Sequence, residues 1–265
     1  MMLKKFFSII LIGIFLSGCE KEIQLPLDPN QSMLVIDGAI TDEAGPYYIK
    51  ISKSTSISEP SSFFAVTGAL VIVKDNLGQI DTLKHEKEGR YKTNKINGIY
   101  GNTYYLDVYL SDKKYSASST MPQKVAFDSL RINPLALNSE IRYNVIPVYT
   151  DPINLGNSYR FIQKINDTLD KTFFVFNDNL NNGKVNQRPL RGGSDSLEVK
   201  LKDIIAVEMQ CITRSAYIYY YALNQQSGAG PGGGTTPSNP PSNIVGGALG
   251  IFSAHTVQRK QIQIK

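Results

Sequence analysis

The sequence predicts an all-β fold that carries a single helix, and three observations support this class. Short apolar runs recur between Gly, Pro, Asn and Asp turn signals, a spacing typical of β-sandwiches and barrels. The chain contains 15 Tyr and 11 Phe, and aromatic side chains favour the pleated, half-buried surface of strands. Beyond the first eighteen residues, only residues 213–226 show a good helical period.

The first eighteen residues are predicted to be a cleaved export signal. Lys4 and Lys5 precede eleven uncharged residues, Phe6–Leu16, which is the pattern of a secretory signal. This run is too short to cross a bilayer, because a spanning helix needs about 20 apolar residues. Leu16-Ser17-Gly18-Cys19 resembles the lipobox of bacterial lipoproteins. We therefore expect Cys19 to be the lipidated first residue of the mature chain.

The acyl chains on Cys19 are predicted to anchor the protein, since each buried methylene contributes about 0.8 kcal/mol to membrane binding. Residues 19–32 contain two prolines and no hydrophobic period, so we interpret them as a tether. The acidic-rich start Glu20-Lys21-Glu22 resembles the surface-export signal of lipoproteins in Bacteroidota. The predicted location is the outer membrane, with the protein facing the cell exterior. The periplasmic face of that membrane is the alternative.

Residues 33–122 are predicted to form the first β domain. Along Tyr104–Leu110, large apolar side chains alternate with their neighbours, as in a strand with one buried face. Further runs of this kind are Leu34–Ile40, Tyr47–Ser52, Ala69–Lys74 and Tyr115–Ser119. Short strands at this spacing predict an antiparallel sandwich of the immunoglobulin or prealbumin kind.

Met121-Pro122 marks the predicted domain boundary, because Pro cannot donate a hydrogen bond to a central strand ladder. Residues 123–265 are then predicted to be a second β-rich domain that carries the helix. Asn182-Gly183 is a predicted turn. The predicted strands of this domain are Phe127–Ile132, Tyr143–Tyr149, Ser158–Ile165, Thr172–Phe176, Ile204–Ile212 and a closing strand within His255–Ile264.

The candidate binding segments are the helix, the loop after it and an Asn-rich segment. Thr213 can cap the helix, and its tyrosine stripe is interpreted as packing, with a ligand platform as the alternative. Residues 227–243 are mostly Gly, Pro, Ser and Thr, which predicts a mobile contact loop. Residues 177–183 are the second candidate, as a polar hairpin. The candidate binding residues are Asn177, Asp178, Asn179, Asn181, Tyr217, Tyr221, Gly232 and Pro240.

The sequence indicates no catalytic residue, no metal site and no cofactor. Its two histidines, His85 and His255, fall in different predicted domains, so neither a zinc site nor a catalytic triad is easily assembled. Both are expected at the surface. Cys211 is the remaining thiol once Cys19 is acylated, and its apolar neighbours predict a buried, inert side chain. Segment 177–183 is rich in oxygen ligands, but its Gly comes one residue late for an EF-hand calcium loop.

The charge balance gives no reason to expect a nucleic-acid partner. The formal net charge is +5, two of the lysines belong to the predicted signal, and no long basic run follows.

Several motifs, in a fixed order, carry a resemblance to a known family. They are Leu34–Asp42, Gly45-Pro46-Tyr47, Val66–Ala69, Ser119–Pro122, Pro240–Ile244, Gly246–Gly250 and Phe252-Ser253-Ala254. Together they resemble an uncharacterised outer-membrane lipoprotein family of Bacteroidota, known as domain of unknown function 4249. The resemblance implies an immunoglobulin-like first domain, a second β-rich domain, and genes that often neighbour those of TonB-dependent receptors. It supplies no catalytic residue and no ligand.

Location, fold and resemblance lead to one functional hypothesis and two alternatives. We expect a non-enzymatic, surface-anchored accessory protein that captures a substrate for a TonB-dependent receptor, with loops on a rigid scaffold making the contacts. The first alternative is a stand-alone module that binds a glycan or a peptide. The second is a hydrolase with an unrecognised carboxylate pair.

Overall fold

The structure is a computed structural model, and it describes residues 32–54, 64–137, 140–179, 182–191, 196–227 and 238–265. The predicted export signal, Cys19, residues 19–31 of the tether, Asn181 and Gly232 lie outside these ranges. Within the described ranges no helix is both long and apolar enough to span a membrane.

The described residues form sixteen strands and one helix, α1, which spans Arg214–Ser227. The strands are β1 (Leu34–Thr41), β2 (Tyr48–Lys53), β3 (Phe64–Ala65), β4 (Leu70–Asp75), β5 (Ile80–Thr82), β6 (Lys84–His85), β7 (Arg90–Lys92), β8 (Thr103–Leu110), β9 (Lys113–Thr120), β10 (Ser129–Leu137), β11 (Glu140–Val148), β12 (Ser158–Ile165), β13 (Thr168–Leu169), β14 (Phe174–Asn177), β15 (Ile204–Cys211) and β16 (Leu249–Gln263). The predicted all-β fold is confirmed, and α1 lies where the helical period placed it.

One large sheet runs through both predicted domains. Its strand order is β13-β12-β15-β16-β1-β2-β7-β6, with β14 beside β12 and β3 beside β2. Strand β16 connects the two halves, because its first half pairs in parallel with β1 from Leu249 and its second half pairs antiparallel with β15 from Thr256. A single strand therefore serves both regions of the chain.

Gly250 allows β16 to approach β1 closely. Its φ is 98°, and a Cβ at this position would lie 2.1 Å from the carbonyl oxygen of Ile36. Only glycine adopts this backbone conformation at no steric cost. The parallel pairing of β1 and β16 therefore depends on a missing side chain.

The first hydrophobic core lies between the large sheet and a second sheet of order β5-β4-β8-β9. Alternate residues of β4 and β8 supply one side of it, as the burial of Val71, Val73, Leu106 and Val108 shows. Strands β1, β2 and β16 supply the other side, including Phe252. Two facing sheets with an interior of aliphatic and aromatic side chains form the predicted sandwich.

The second core packs β12, β14 and β15 against the hairpin of β10 and β11. Phe161, Met209 and Cys211 are buried here, and burial raises the pKa of the Cys211 thiol. The prediction of a buried Cys211 is confirmed. Helix α1 covers the opposite face of the same sheet and contacts β12, β14 and β16.

The tertiary structure departs from the sequence-based division at 122/123. Residues 32–265 group as one compact unit, and Ile244, Ala248, Phe252 and Ala254 belong to the first core although they follow the second region in the chain. The difference arises from β16. Its alternating pattern predicts a strand but does not indicate which strands pair with it. The Asn-rich segment also differs from a simple hairpin, because Val185 bridges to Thr150 instead of to β14.

Candidate functional site

Helix α1 begins at a cap and carries tyrosines around much of its surface. Thr213 Oγ1 accepts a hydrogen bond from the Ala216 amide at 3.3 Å, which satisfies one of the free N–H groups of the first turn. Ala216 is fully buried against the sheet beside Ile251. The buried face fixes the helix on the sheet and determines which tyrosines point outward.

Two of these tyrosines stack, and the half-buried one, Tyr217, also contacts polar groups. The rings of Tyr217 and Tyr221 are 5.7 Å apart and inclined by 21°, as their i, i+4 spacing allows. The Arg214 guanidinium lies 5.3 Å from the Tyr217 ring centre, and Asn177 Nδ2 donates to Tyr217 Oη at 3.0 Å. We call Asn177, Arg214, Tyr217 and Tyr221 the tyrosine platform.

The structure thus brings three sequence-predicted candidates together from two segments 40 residues apart. Asn177 lies at the end of β14, where Asn179 N also donates to its Oδ1 at 3.4 Å. This contact orients the Asn177 amide toward the helix. The side chain of Tyr221 is 45% exposed, so a ligand can reach its ring.

Asp178 and Pro240 stand apart from this platform. Asp178 is buried, and its carboxylate accepts hydrogen bonds from the amides of Gly156 at 2.5 Å and Asn157 at 2.8 Å. Pro240 is half-buried in the part of the predicted contact loop that the structure describes. In that part, Asn243 is fixed by hydrogen bonds in both directions with the backbone of Phe252, at 2.8 and 3.0 Å.

A network of polar and charged side chains lies between the helix and the loop after β1. The Arg160 guanidinium lies 3.9 Å from the Tyr220 ring centre, a cation–π distance, and it contacts Gln210 Oε1 at 3.5 Å. Gln210 donates to Glu208 at 2.6 Å. Arg259 then bridges Glu208 at 2.7 Å and Glu43 at 2.5 Å. This charged network connects the helix side of the sheet to the loop after β1.

Burial shifts the pKa values of three groups near this charged network. Burial lowers the pKa of His255 to about 4, and the positive charge of Arg160 acts in the same direction. His255 is therefore neutral near pH 7, with Nδ1 3.1 Å from Ser253 Oγ. Burial raises the pKa of Tyr219 to about 12. Burial also raises the pKa of Asp37, although Arg160 and Lys50 oppose the rise.

The expectation that both histidines lie at the surface was wrong for His255, which is 5% exposed, whereas His85 is exposed. His255 lies near the middle of β16, and because the helix packs on this strand, its imidazole becomes buried. A single strand pattern cannot show which face will be covered.

A recess lies on the outer face of the four-stranded sheet. It has a volume of about 410 Å³ and is lined by Tyr105, Asp107, Ser116 and Val245 among others. Burial raises the pKa of Asp107, but hydrogen bonds from Lys114 and Lys74 outweigh that effect and lower it. Both lysines contact the Asp107 carboxylate, at 3.0 and 3.2 Å. The carboxylate is thus already neutralised, and the recess offers Tyr105 as its exposed aromatic side chain.

Arg214 and Arg160 are the platform and support residues that the sequence did not single out. Arg214 precedes Tyr217 by three residues, so the i, i+3 spacing could have indicated the contact. Arg160 lies in a strand far from the helix in sequence, and nothing in the linear order connects it to Tyr220.

Comparison with known families adds one assignment. The model of the family described as "Domain of unknown function (DUF4249)" matches residues 20–261. The chain belongs to this family. The expected DUF4249 resemblance is therefore confirmed over nearly the whole chain. No curated protein matches the sequence.

Proposed function

We propose that this DUF4249 protein is a lipid-anchored, non-enzymatic capture protein of the outer membrane that presents its ligand to a TonB-dependent receptor. The tyrosine platform is its contact surface, and the large sheet is the scaffold that holds the platform in place. Cys19 carries the anchor, and the protein faces the cell exterior.

One observation carries the capture part of this proposal. Tyr221 is 45% exposed although it stacks on Tyr217, and an amide and a guanidinium contact Tyr217. Exposed aromatic rings with fixed polar neighbours supply a large contact area at low entropic cost. The cap at Thr213 and the support from Arg160 hold the rings before any ligand binds, which favours affinity.

The receptor part rests on the family. The resemblance of this chain to DUF4249 lipoproteins implies genes beside those of TonB-dependent receptors, and a tethered binding surface suits delivery to a neighbouring transporter. The same platform also favours the first alternative, a stand-alone module for a glycan or a peptide, because rings, amides and guanidinium groups bind both.

Ligand binding tests the platform. The purified full-length chain in detergent would be run by affinity electrophoresis in gels that contain soluble polysaccharides, and titrated with a labelled peptide library. Tyr221→Ala should weaken binding roughly tenfold, since an aromatic contact contributes about 0.5–1.5 kcal/mol. Tyr221→Phe keeps the ring and should retain most of the affinity.

Tyr105 is the matched control, because it is also 45% exposed but lies in the recess beside Asp107. Tyr105→Ala should leave binding unchanged. Loss of binding in Tyr105→Ala, with Tyr221→Ala unaffected, would transfer the contact surface to that recess and contradict the platform.

Co-purification separates the leading hypothesis from the stand-alone alternative. A tagged chain would be recovered from detergent-solubilised outer membranes under conditions that keep known receptor pairs intact. A TonB-dependent receptor should be recovered with it. Recovery of the chain alone, together with ligand binding by the purified protein, would favour the stand-alone module.

The anchor and the absence of catalysis have their own tests. Cys19→Ser should abolish labelling by a fatty acid and release the protein from the membrane fraction, and protease treatment of whole cells would report its outward orientation. A hydrolase would instead show turnover that a single Asp or Glu substitution abolishes.

A further inference from the structure

A polar recess lies between the loop after β1 and the segment that follows β7. It has a volume of about 450 Å³, and Pro46, Lys92, Asn94 and Asn97 are among the residues that line it. We call these residues the lysine recess. It shares no residue with the tyrosine platform or with the recess beside Asp107.

Two buried side chains hold the walls of the lysine recess in place. Tyr47 Oη donates to Glu43 O at 2.6 Å and accepts from the Gly98 amide at 3.0 Å, so it joins the loop after β1 to the segment after β7. The Asp81 carboxylate accepts from the Asn94 amide at 2.6 Å. Tyr47 and Asp81 are both buried. Walls that are fixed before a ligand arrives lower the entropic cost of binding.

Like charges meet beside this recess. In the pairing of β6 with β7, Lys84 lies directly opposite Lys92, so both side chains project from the same face of the sheet. Arg90 precedes Lys92 by two residues and shares that face, where its guanidinium lies 4.0 Å from the Tyr48 ring centre. Like charges directly opposite each other on neighbouring strands destabilise a sheet.

Within the described ranges, no carboxylate neutralises this lysine pair. The ion pairs of those residues include neither Lys84 nor Lys92. The Glu43 carboxylate, next in the chain to the lining residue Ala44, binds Arg259 at 2.5 Å instead. The cross-strand lysine pair therefore costs stability until an anion joins it, and a local conflict of this kind is typical of a functional site.

We propose that the lysine recess binds an acidic glycan, whose carboxylate or sulfate group pairs with Lys92 and Lys84 and whose hydroxyl groups bond to Asn97. An ammonium group has three donors for an oxyanion, and such charge-assisted bonds are strong. The Asn97 amide both donates and accepts, as sugar hydroxyls do. This second binding site goes beyond the proposed function and does not depend on Tyr221.

The lining of the recess favours a glycan over an acidic peptide. Among the described residues that line it, Ile96 is the one long aliphatic side chain, and it is buried. The Thr93 hydroxyl already accepts from the Tyr47 amide at 2.8 Å. The recess therefore offers charge and amide groups but no pocket for the apolar side chains that anchor peptides.

Fluorescence anisotropy on the full-length chain in detergent tests the proposal. The labelled probes are oligogalacturonate, a sulfated dextran oligosaccharide, a neutral dextran oligosaccharide and oligoglutamate. At least one acidic glycan should bind saturably, and the comparison of the two distinguishes carboxylate from sulfate. The neutral glycan and oligoglutamate should each bind about tenfold more weakly or less. Oligoglutamate that binds as tightly as the acidic glycans would overturn the proposal, as would the lack of binding by both acidic glycans.

Matched variants separate the recess from general charge attraction. Lys84→Gln combined with Lys92→Gln should weaken binding of the acidic glycan by more than about tenfold. Lys164→Gln combined with Lys260→Gln removes the same charge at exposed lysines and should leave the affinity nearly unchanged. Asn97→Ala keeps the net charge and should weaken binding several-fold. Equal losses in the two double variants would contradict a site at the lysine recess.

Melting temperatures and the platform variant complete the test. Without ligand, the Lys84→Gln and Lys92→Gln double variant should melt no lower than the wild type, because it removes a like-charge pair. If it does melt lower, Asn97→Ala decides, and unchanged binding in that variant would overturn the proposal. Tyr221→Ala should bind the acidic glycan as the wild type does. A loss in Tyr221→Ala with none in the lysine variant would assign the glycan to the tyrosine platform instead.

Discussion

The two faces of β16 contrast sharply although they belong to the same strand. Phe252 and Ala254 enter the first core, which contains apolar side chains of both sheets. Ser253 and His255 point to the opposite face, where the helix and Arg160 cover them, and both are buried. Over residues 252–255, one face is thus apolar and the other polar, and both are buried.

The apolar face of β16 contributes to stability, whereas the polar face supports the binding surface. Apolar burial contributes roughly 25 cal/mol per Å² without directional requirements, so the first core can stabilise the fold. On the polar face, buried donors and acceptors need hydrogen-bond partners. The charged network from Arg160 to Glu43 supplies such partners. The platform lies above this polar face, where fixed directions are useful for recognition.

The largest expected effect lies on the apolar face. Phe252→Ala should lower the free energy of unfolding by about 3–5 kcal/mol, because it leaves a cavity in a fully packed core. Urea denaturation would measure the change. Leu77→Ala, at a 69% exposed position, should stay within about 0.5 kcal/mol. Equal effects in the two variants would contradict the assignment of the core.

The next effect concerns the approach of β16 to β1. Gly250→Ala should cost about 2–3 kcal/mol, because its Cβ would lie 2.1 Å from Ile36 O at a φ of 98°. Gly247 has a φ of 86° and no atom within 4 Å of its Cβ position. Gly247→Ala should therefore show only the backbone cost of about 1–2 kcal/mol, and the difference in melting temperature reports the contact with β1.

The next prediction concerns the polar face and the pH dependence of the protein's stability. The pKa of His255 is about 4 in the folded protein against an ordinary 6.5, so between these values the unfolded chain binds the proton and the folded chain does not. Lowering the pH from 6.5 towards 4 should therefore reduce the stability, by up to about 1.4 kcal/mol per pH unit.

Denaturation at several pH values would test this dependence. His255→Gln should flatten the curve in that range, and His85→Gln at an exposed histidine controls for the loss of an imidazole. A wild-type curve that His255→Gln does not alter would show that His255 is solvated and that the helix does not cover it.

The smallest effect concerns the helix that carries the platform. Thr213→Ala should lower the stability by about 1 kcal/mol, because it removes the hydroxyl that accepts from the Ala216 amide. Thr213→Ser keeps that acceptor and should be nearly neutral. Helical circular dichroism and the melting temperature would measure both, and a loss in Thr213→Ser equal to that in Thr213→Ala would exclude capping as the cause.

The strands and the helix were largely predictable from local patterns. The alternation in Tyr104–Leu110 matches β8 within one residue, and the Thr213 cap matches the start of α1. Strands of two or three residues, such as β3 and β6, were missed, because so short a run has no measurable period.

The sequence by itself determined which residues can form strands, where the described helix starts, and the family to which the chain belongs. These properties depend on periodicity, caps and motifs, and neighbouring residues are enough to express them. Only the tertiary structure decided that β16 joins two regions, that His255 is buried, and that Asn177 meets Tyr217. The reason is that the period of a strand assigns its residues to two faces but does not determine which elements pack on each face.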